Sequence, residues 1–105
     1  MTRLLFVCSG NVFRSPTAEE LFNGRDGVEA RSAGILGCAV TSLSKMLIDW
    51  ADKIFVMEPH HKMRVVELVP GAERKTRTLN IPDIYPKNDP ELQRVLKRKV
   101  ERFLN

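Results

Sequence analysis

Short, uniformly apolar runs alternate along this chain with longer stretches whose apolar residues recur at helical spacing. Such alternation is the mark of β-α-β units and a parallel sheet. Arg3 to Cys8 opens the pattern, and its Leu4-Leu5-Phe6-Val7 core suits a central strand covered on both faces. From Pro16, a first-turn residue whose missing N–H costs nothing, Ala18, Leu21 and Phe22 return at helical spacing, and Asn23-Gly24 is a stop signal. A second strand is expected over Val28 to Ser32, running into Ala33-Gly34. Between Thr41 and Ala51, the residues Leu43, Met46, Leu47, Trp50 and Ala51 fall at i, i+3, i+4, i+7 and i+8. That spacing predicts a helix capped at Thr41 or Ser42, with Met46 and Trp50 on its core face. Lys53 to Met57 reads as a third strand, and a helix should follow Pro59 and end before Pro70-Gly71. Lys75 to Leu79 alternates cation with threonine, as an exposed edge strand does. A proline-punctuated loop, Asn80 to Pro90, leads into a last helix, Pro90 to Leu104, striped by Leu92, Val95, Leu96, Val100, Phe103 and Leu104. The pattern as a whole predicts an α/β fold with a four-stranded parallel sheet.

Length narrows this to one domain, residues 1–105, because the chain can bury one hydrophobic core but not two. Cys8 and Cys38 are the only cysteines, which argues for free thiols in a reducing compartment rather than a bridged secreted domain. No run approaches the roughly 20 apolar residues of a membrane span, so a cytoplasmic location without membrane contact is expected. The net charge of +4 favours anionic partners of any kind. The cations Arg94, Lys97, Arg98, Lys99 and Arg102 lie largely opposite the last helix's apolar stripe and read as a solvated face, so nucleic acid is not the expected partner. His60-His61 lacks partners at ligand spacing; it is read as solvated surface, and neither metal nor cofactor is expected.

The chemistry concentrates where the first strand ends. Cys8 is followed by the loop Ser9-Gly10-Asn11-Val12-Phe13, which returns Arg14 and Ser15 to face the thiol. Loop N–H groups and a helix N-terminus converge on an anion there, and Arg14 can add a bidentate fork to two oxygens. Gly10 would permit close backbone approach, while Asn11 tolerates left-handed backbone and its amide can bridge neighbouring segments. An ordinary thiol is only a few per cent thiolate at neutral pH; full ionisation would gain a factor of about 30, roughly 2 kcal/mol. Phosphate monoester hydrolysis needs far more, so Arg14 and the loop N–H groups must supply most of the acceleration. A general acid is expected from the proline-rich loop. Asp83 is favoured; Asp89 is the alternative, and otherwise a cap for the last helix.

These residues resemble the low molecular weight protein tyrosine phosphatases. The likeness rests on Cys8-Ser9-Gly10-Asn11-Val12-Phe13-Arg14-Ser15-Pro16 with Ala18-Glu19, on Ser32-Ala33-Gly34, on Ala51 to Met57, and on Pro82-Asp83-Ile84-Tyr85. It implies a three-layer α/β/α fold with a phosphatase loop between first strand and first helix. It further implies hydrolysis of phosphotyrosine or a similar aryl phosphate through a phosphocysteine, with a phosphorylated protein or small aryl phosphate as partner. Residues 9 to 15 would bind phosphate or another oxyanion, Cys8 would be the nucleophile and Asp83 the acid. Asn11, Ser15 and Ser32 would support the loop, and Tyr85 would stack on an aromatic leaving group. The chain departs from the family in carrying Phe13 for the usual second cysteine, which leaves Cys38 as the other thiol available to protect Cys8. Ile84 stands where the family has proline, and Val12 is nearer the isoleucine of tyrosine-directed relatives than the threonine of those acting on phosphoarginine. Other readings on the same scaffold are an arsenate reductase, which needs more cysteines, and a phosphocarrier, against which Arg14 and Asp83 argue. A phosphate or nucleic-acid binding module is the non-enzymatic alternative.

Overall fold

The apolar run after Arg3 occupies the middle of the sheet. The computed structural model describes residues 1–104. Its elements are β1 (Thr2–Cys8), α1 (Arg14–Phe22), β2 (Val28–Gly34), α2 (Lys45–Trp50), β3 (Lys53–Val56), α3 (Pro59–Leu68), a short 3₁₀ helix (Pro70–Lys75), β4 (Thr76–Thr78) and α4 (Pro90–Leu104). The strands form one four-stranded sheet in the order β2-β1-β3-β4, and every pairing is parallel. Alternation along β1 then fixes the layers. Leu4, Phe6 and Cys8 join Ala18 and Phe22 of α1 and Leu92, Leu96 and Val100 of α4 in one cluster. Leu5 and Val7 join Ile48 of α2 and Val65 of α3 in the other. The result is the expected three-layer α/β/α arrangement. Phe6 anchors the first layer, with its ring 5.7 Å from those of both Phe22 and Phe55. None of the described helices is long and apolar enough to cross a membrane.

This topology also determines where a site can form. From β1 the chain passes to β2 on one side, then crosses to β3 on the other, so the strand order reverses between β1 and β3. In open α/β sheets, ligands bind outside the carboxyl ends of strands at such a reversal. Cys8 ends β1 there, and Glu58 stands just beyond the end of β3.

Two helices begin elsewhere than the sequence pattern implies. The first starts at Arg14 rather than Pro16, with Phe13 as its cap residue and the Thr17 N–H donating to the Phe13 carbonyl at 3.2 Å. Pro16 still breaks nothing, since the first turn's donors have no intrahelical acceptor. The second starts at Lys45, where the Ser44 hydroxyl accepts from the Leu47 N–H at 3.2 Å. Thr41 to Leu43 is instead drawn beside Gly34, by Gly34 N–H to Thr41 O at 2.8 Å and Leu43 N–H to Gly34 O at 2.9 Å. That shift makes Ile48 the helix's buried residue and leaves Met46 81% exposed, correcting its placement in the core. Leu43, Leu47 and Trp50 pack against the same cluster half-buried, and the guanidinium groups of Arg3 and Arg31 lie over the Trp50 ring.

Candidate active site

The loop between β1 and α1 is shaped by where its carbonyls go. Those of Cys8, Ser9 and Gly10 accept from the N–H groups of Ile35, Leu36 and Val40 at 3.1, 3.0 and 3.2 Å. Because a trans peptide sets C=O and N–H on opposite edges, the N–H groups of Ser9, Gly10 and Asn11 then point away from that segment. Asn11 makes the turn at φ 57°, in the left-handed region that asparagine tolerates. Its side chain ties the loop on both flanks, with Nδ2 donating to Ser15 Oγ at 2.9 Å and Oδ1 accepting from the Thr41 N–H at 3.1 Å. The amide thus bridges the start of α1 and the Thr41 backbone.

Ser15 Oγ lies 2.9 Å from Cys8 Sγ and 3.5 Å from the Ala33 carbonyl. Since Asn11 already donates to that oxygen, the hydroxyl proton is left for one of these two, and the shorter contact is the sulfur. Cys8 is buried yet borders a cavity of about 180 Å³ with Ser9, Gly10, Val12, Phe13, Arg14, Leu36 and Asp83. Arg14 is almost wholly buried, and its Nη1 donates to Glu58 Oε2 at 2.6 Å and to the Ile81 carbonyl at 2.7 Å. Among the described residues, its Nε and Nη2 make no hydrogen bond, so the edge suited to a bidentate oxyanion remains available. Asp83 Oδ1 rests 3.6 Å from Nε on a mostly exposed side chain, beyond hydrogen-bond range. Ile81 N–H donates to the Met57 carbonyl at 2.9 Å, and Asn88 N–H donates to Thr17 Oγ1 at 2.9 Å, which docks the loop carrying Asp83 against the end of β3 and α1.

Glu58 and His61 were not foreseen. The hydrogen bond from Arg14 holds the Glu58 carboxyl below the usual carboxylate range, against the opposing effect of desolvation. His61, expected at the surface, is fully buried. It accepts the Glu58 backbone N–H on Nδ1 at 3.0 Å, and its Nε2 lies 3.0 Å from Ser9 Oγ. Burial first, then the charges of His60 and Arg14, push it down to about 4, so the ring is neutral at physiological pH. Donor atoms of Glu58, His60 and His61 lie within 4.8 Å of one another. Both His61 nitrogens and a Glu58 oxygen are nevertheless committed to other partners, so a cation there would have to displace them. The sequence hint was Glu58-Pro59 at a strand's carboxyl end, with a histidine at the helix's third position.

The remaining expectations divide. A side chain on Gly10 would meet only Val12 at 3.6 Å, whereas a Cβ on Gly34 would lie 2.5 Å from Ser9 O and 2.9 Å from Asn11 N. Backbone therefore approaches backbone most closely at Gly34. Ser32 donates to Glu19 Oε1 of α1 at 2.5 Å rather than to the loop. Tyr85 packs half-buried against the α1–α4 core and does not border the cavity. Asp89 caps α4, accepting from the N–H groups of Glu91 and Leu92 at 2.7 and 3.4 Å. Cys38 is an exposed free thiol on the segment that holds the loop carbonyls. On α4, Lys99 donates to the Leu79 and Asn80 carbonyls and Arg94 pairs with Glu91, so part of the basic face is engaged within the fold. A larger cleft, about 580 Å³, opens at the other end of the sheet between Thr2, Phe22, Lys53 and Lys97, and no cysteine lines it.

Comparison with known proteins agrees with this geometry. A profile of the family described as low molecular weight phosphotyrosine protein phosphatase matches residues 3–45. A protein-arginine-phosphatase of Geobacillus stearothermophilus is 35% identical over 101 residues, spanning 73% of this chain and 68% of its own. The solved YwlE arginine phosphatase from the same organism superimposes with a TM-score of 0.75 at 30% identity, covering 99% of this chain and 94% of that one. A low molecular weight protein tyrosine phosphatase from Streptococcus pyogenes, 18% identical, shares the fold with a TM-score of 0.78 over 99% of this chain and 91% of its own. The chain belongs to the low molecular weight phosphotyrosine protein phosphatase family and is, with its relatives, a phosphatase.

Proposed function

We propose that the protein removes the phosphoryl group from phosphotyrosine or a similar aryl phosphate, on a protein or a small molecule, through a phosphocysteine on Cys8. The observation that carries this reading is that Cys8, Arg14 and Asp83 border one small cavity. The sulfur attacks phosphorus in line with the leaving oxygen, so an S–P bond forms as the O–P bond breaks. Nε and Nη2 of Arg14, with the loop N–H groups, hold the equatorial oxygens and neutralise their charge. Asp83 gives its proton to the leaving phenolate. As carboxylate it then takes a proton from the water that attacks phosphorus, and Cys8 departs as thiolate while inorganic phosphate is released. Donation from Ser15 Oγ supports the anionic sulfur in both steps.

The aryl preference rests on the cavity's rim. Val12, Phe13 and Leu36 are each nearly half exposed around the mouth and offer apolar surface to a ring. A relative named for phosphoarginine makes that substrate the competing one. The test sets phosphotyrosine, phosphoserine and phosphoarginine peptides side by side, without added metal and with vanadate as inhibitor. Faster turnover of the phosphotyrosine peptide, blocked competitively by vanadate, is expected. Faster turnover of the phosphoarginine peptide would replace the aryl assignment.

A further inference from the structure

Two polar side chains behind the cup take no part in the steps above. Ser9 follows the thiol in sequence and borders the cavity, and His61 lies fully buried at the start of α3. The Glu58 backbone N–H, which can only donate, lies 3.0 Å from His61 Nδ1, so that nitrogen must be bare. A neutral ring with a bare Nδ1 carries its proton on Nε2, which is 3.0 Å from Ser9 Oγ. Ser9 therefore accepts from the ring and keeps its own proton. Among the described residues its hydroxyl has no other partner. The opposite tautomer would draw that proton to the ring and present lone pairs to an incoming anion.

We propose that the Ser9 hydroxyl donates a hydrogen bond directly to the phosphoryl oxygens, and that His61 is the positioning residue that keeps the hydroxyl a donor. The inference rests on the reading of this cavity as a phosphate site. It ties two sides of the cup to one residue: the Glu58 carboxylate holds Arg14, and the Glu58 backbone fixes the His61 tautomer. A charge-assisted hydrogen bond of this type corresponds to about tenfold or more in affinity.

The test measures vanadate and inorganic phosphate binding, and turnover of p-nitrophenyl phosphate, for Ser9→Ala, His61→Leu, their double variant and His61→Gln. Ser9→Ala and His61→Leu should each weaken oxyanion binding about tenfold, and the double variant no further than either alone. His61→Gln, whose amide can donate where Nε2 does, should recover most of the loss. Phosphate binding by Ser9→Ala within about twofold of wild type, or losses that multiply in the double variant, would overturn the proposal. Should His61→Leu fail to fold, nitrogen NMR of the wild-type imidazole decides instead. An Nε2–H tautomer whose Nε2 signal moves as phosphate saturates the site is expected. A signal unmoved by saturation, or protonation on Nδ1, rejects the idea. Cys8→Ser separates the two readings: if wild type and Cys8→Ser both fail to bind phosphate or vanadate, the cup itself has been misread. If they bind and Ser9→Ala binds equally well, only the role of Ser9 and His61 fails.

Discussion

At Gly34 an added Cβ would meet the backbone of Ser9 and Asn11 and the Cβ of Ala39, none of them a movable side-chain tip, so Gly34→Ala must push β2 away from the loop between β1 and α1. A loss of about 2 kcal/mol or more in urea denaturation is expected, with turnover falling alongside. Gly10→Ala, which meets only Val12 at 3.6 Å, should cost less than about 1 kcal/mol of stability. The two aspartates divide in the same way. Asp83 borders the cavity and Asp89 caps α4. Asp83→Asn should lower kcat by about 10² to 10⁴ with an aryl phosphate whose leaving group needs a proton. Asp89→Asn can still cap and should leave kcat near wild type, while Asp89→Ala should cost about 1 kcal/mol of stability. Loss of turnover in Asp89→Asn rather than in Asp83→Asn would exchange the roles.

At the scale of elements, the start of α3 shows both the reach of sequence reasoning and its limit. The loop from Cys8 to Ser15 could be read because its parts are local: a strand end, a left-handed asparagine and an arginine returned to face the thiol. Glu58 and His61 could not be read that way. They meet Arg14 and Ser9 across 44 and 52 residues of sequence, and only the β2-β1-β3-β4 order brings them together. The helical spacing of Thr41 to Ala51 misled for a related reason, since pairing of Thr41 and Leu43 with Gly34 outweighed local periodicity. The buried histidine has a consequence for stability. Its value in the folded protein is about 4 against an ordinary 6.5, so below pH 6.5 the unfolded chain takes up a proton that the native state refuses. Stability should fall as pH drops from about 6.5 towards 4, by up to about 3 kcal/mol. Glu58, held low by Arg14, adds a loss in the same direction at still lower pH. Urea titrations near pH 7 and about pH 4.5 measure this, and a folded His61→Leu variant should show a flatter dependence.

For the whole molecule, the parallel sheet supplies one rigid edge where β1 and β3 end, and the 35–40 segment, α1, α3 and the Asp83 loop are hydrogen-bonded around it. That construction holds a thiol, a guanidinium and a carboxyl at one cavity while leaving the rim residues Val12, Phe13 and Leu36 nearly half exposed around its mouth. Replacing Phe13 with a polar residue such as serine should therefore raise KM for phosphotyrosine peptides more than for inorganic phosphate inhibition, a difference that steady-state kinetics can read. The most direct measurement for the account as a whole is metal-free turnover of p-nitrophenyl phosphate by Cys8→Ser, checked for native fold by circular dichroism. Loss of at least about four orders of magnitude is predicted, because a serine alkoxide is far harder to form than a thiolate and leaves phosphorus far more slowly. Turnover within about tenfold of wild type would contradict the account, since phosphorus would then be transferred without ever bonding to this sulfur.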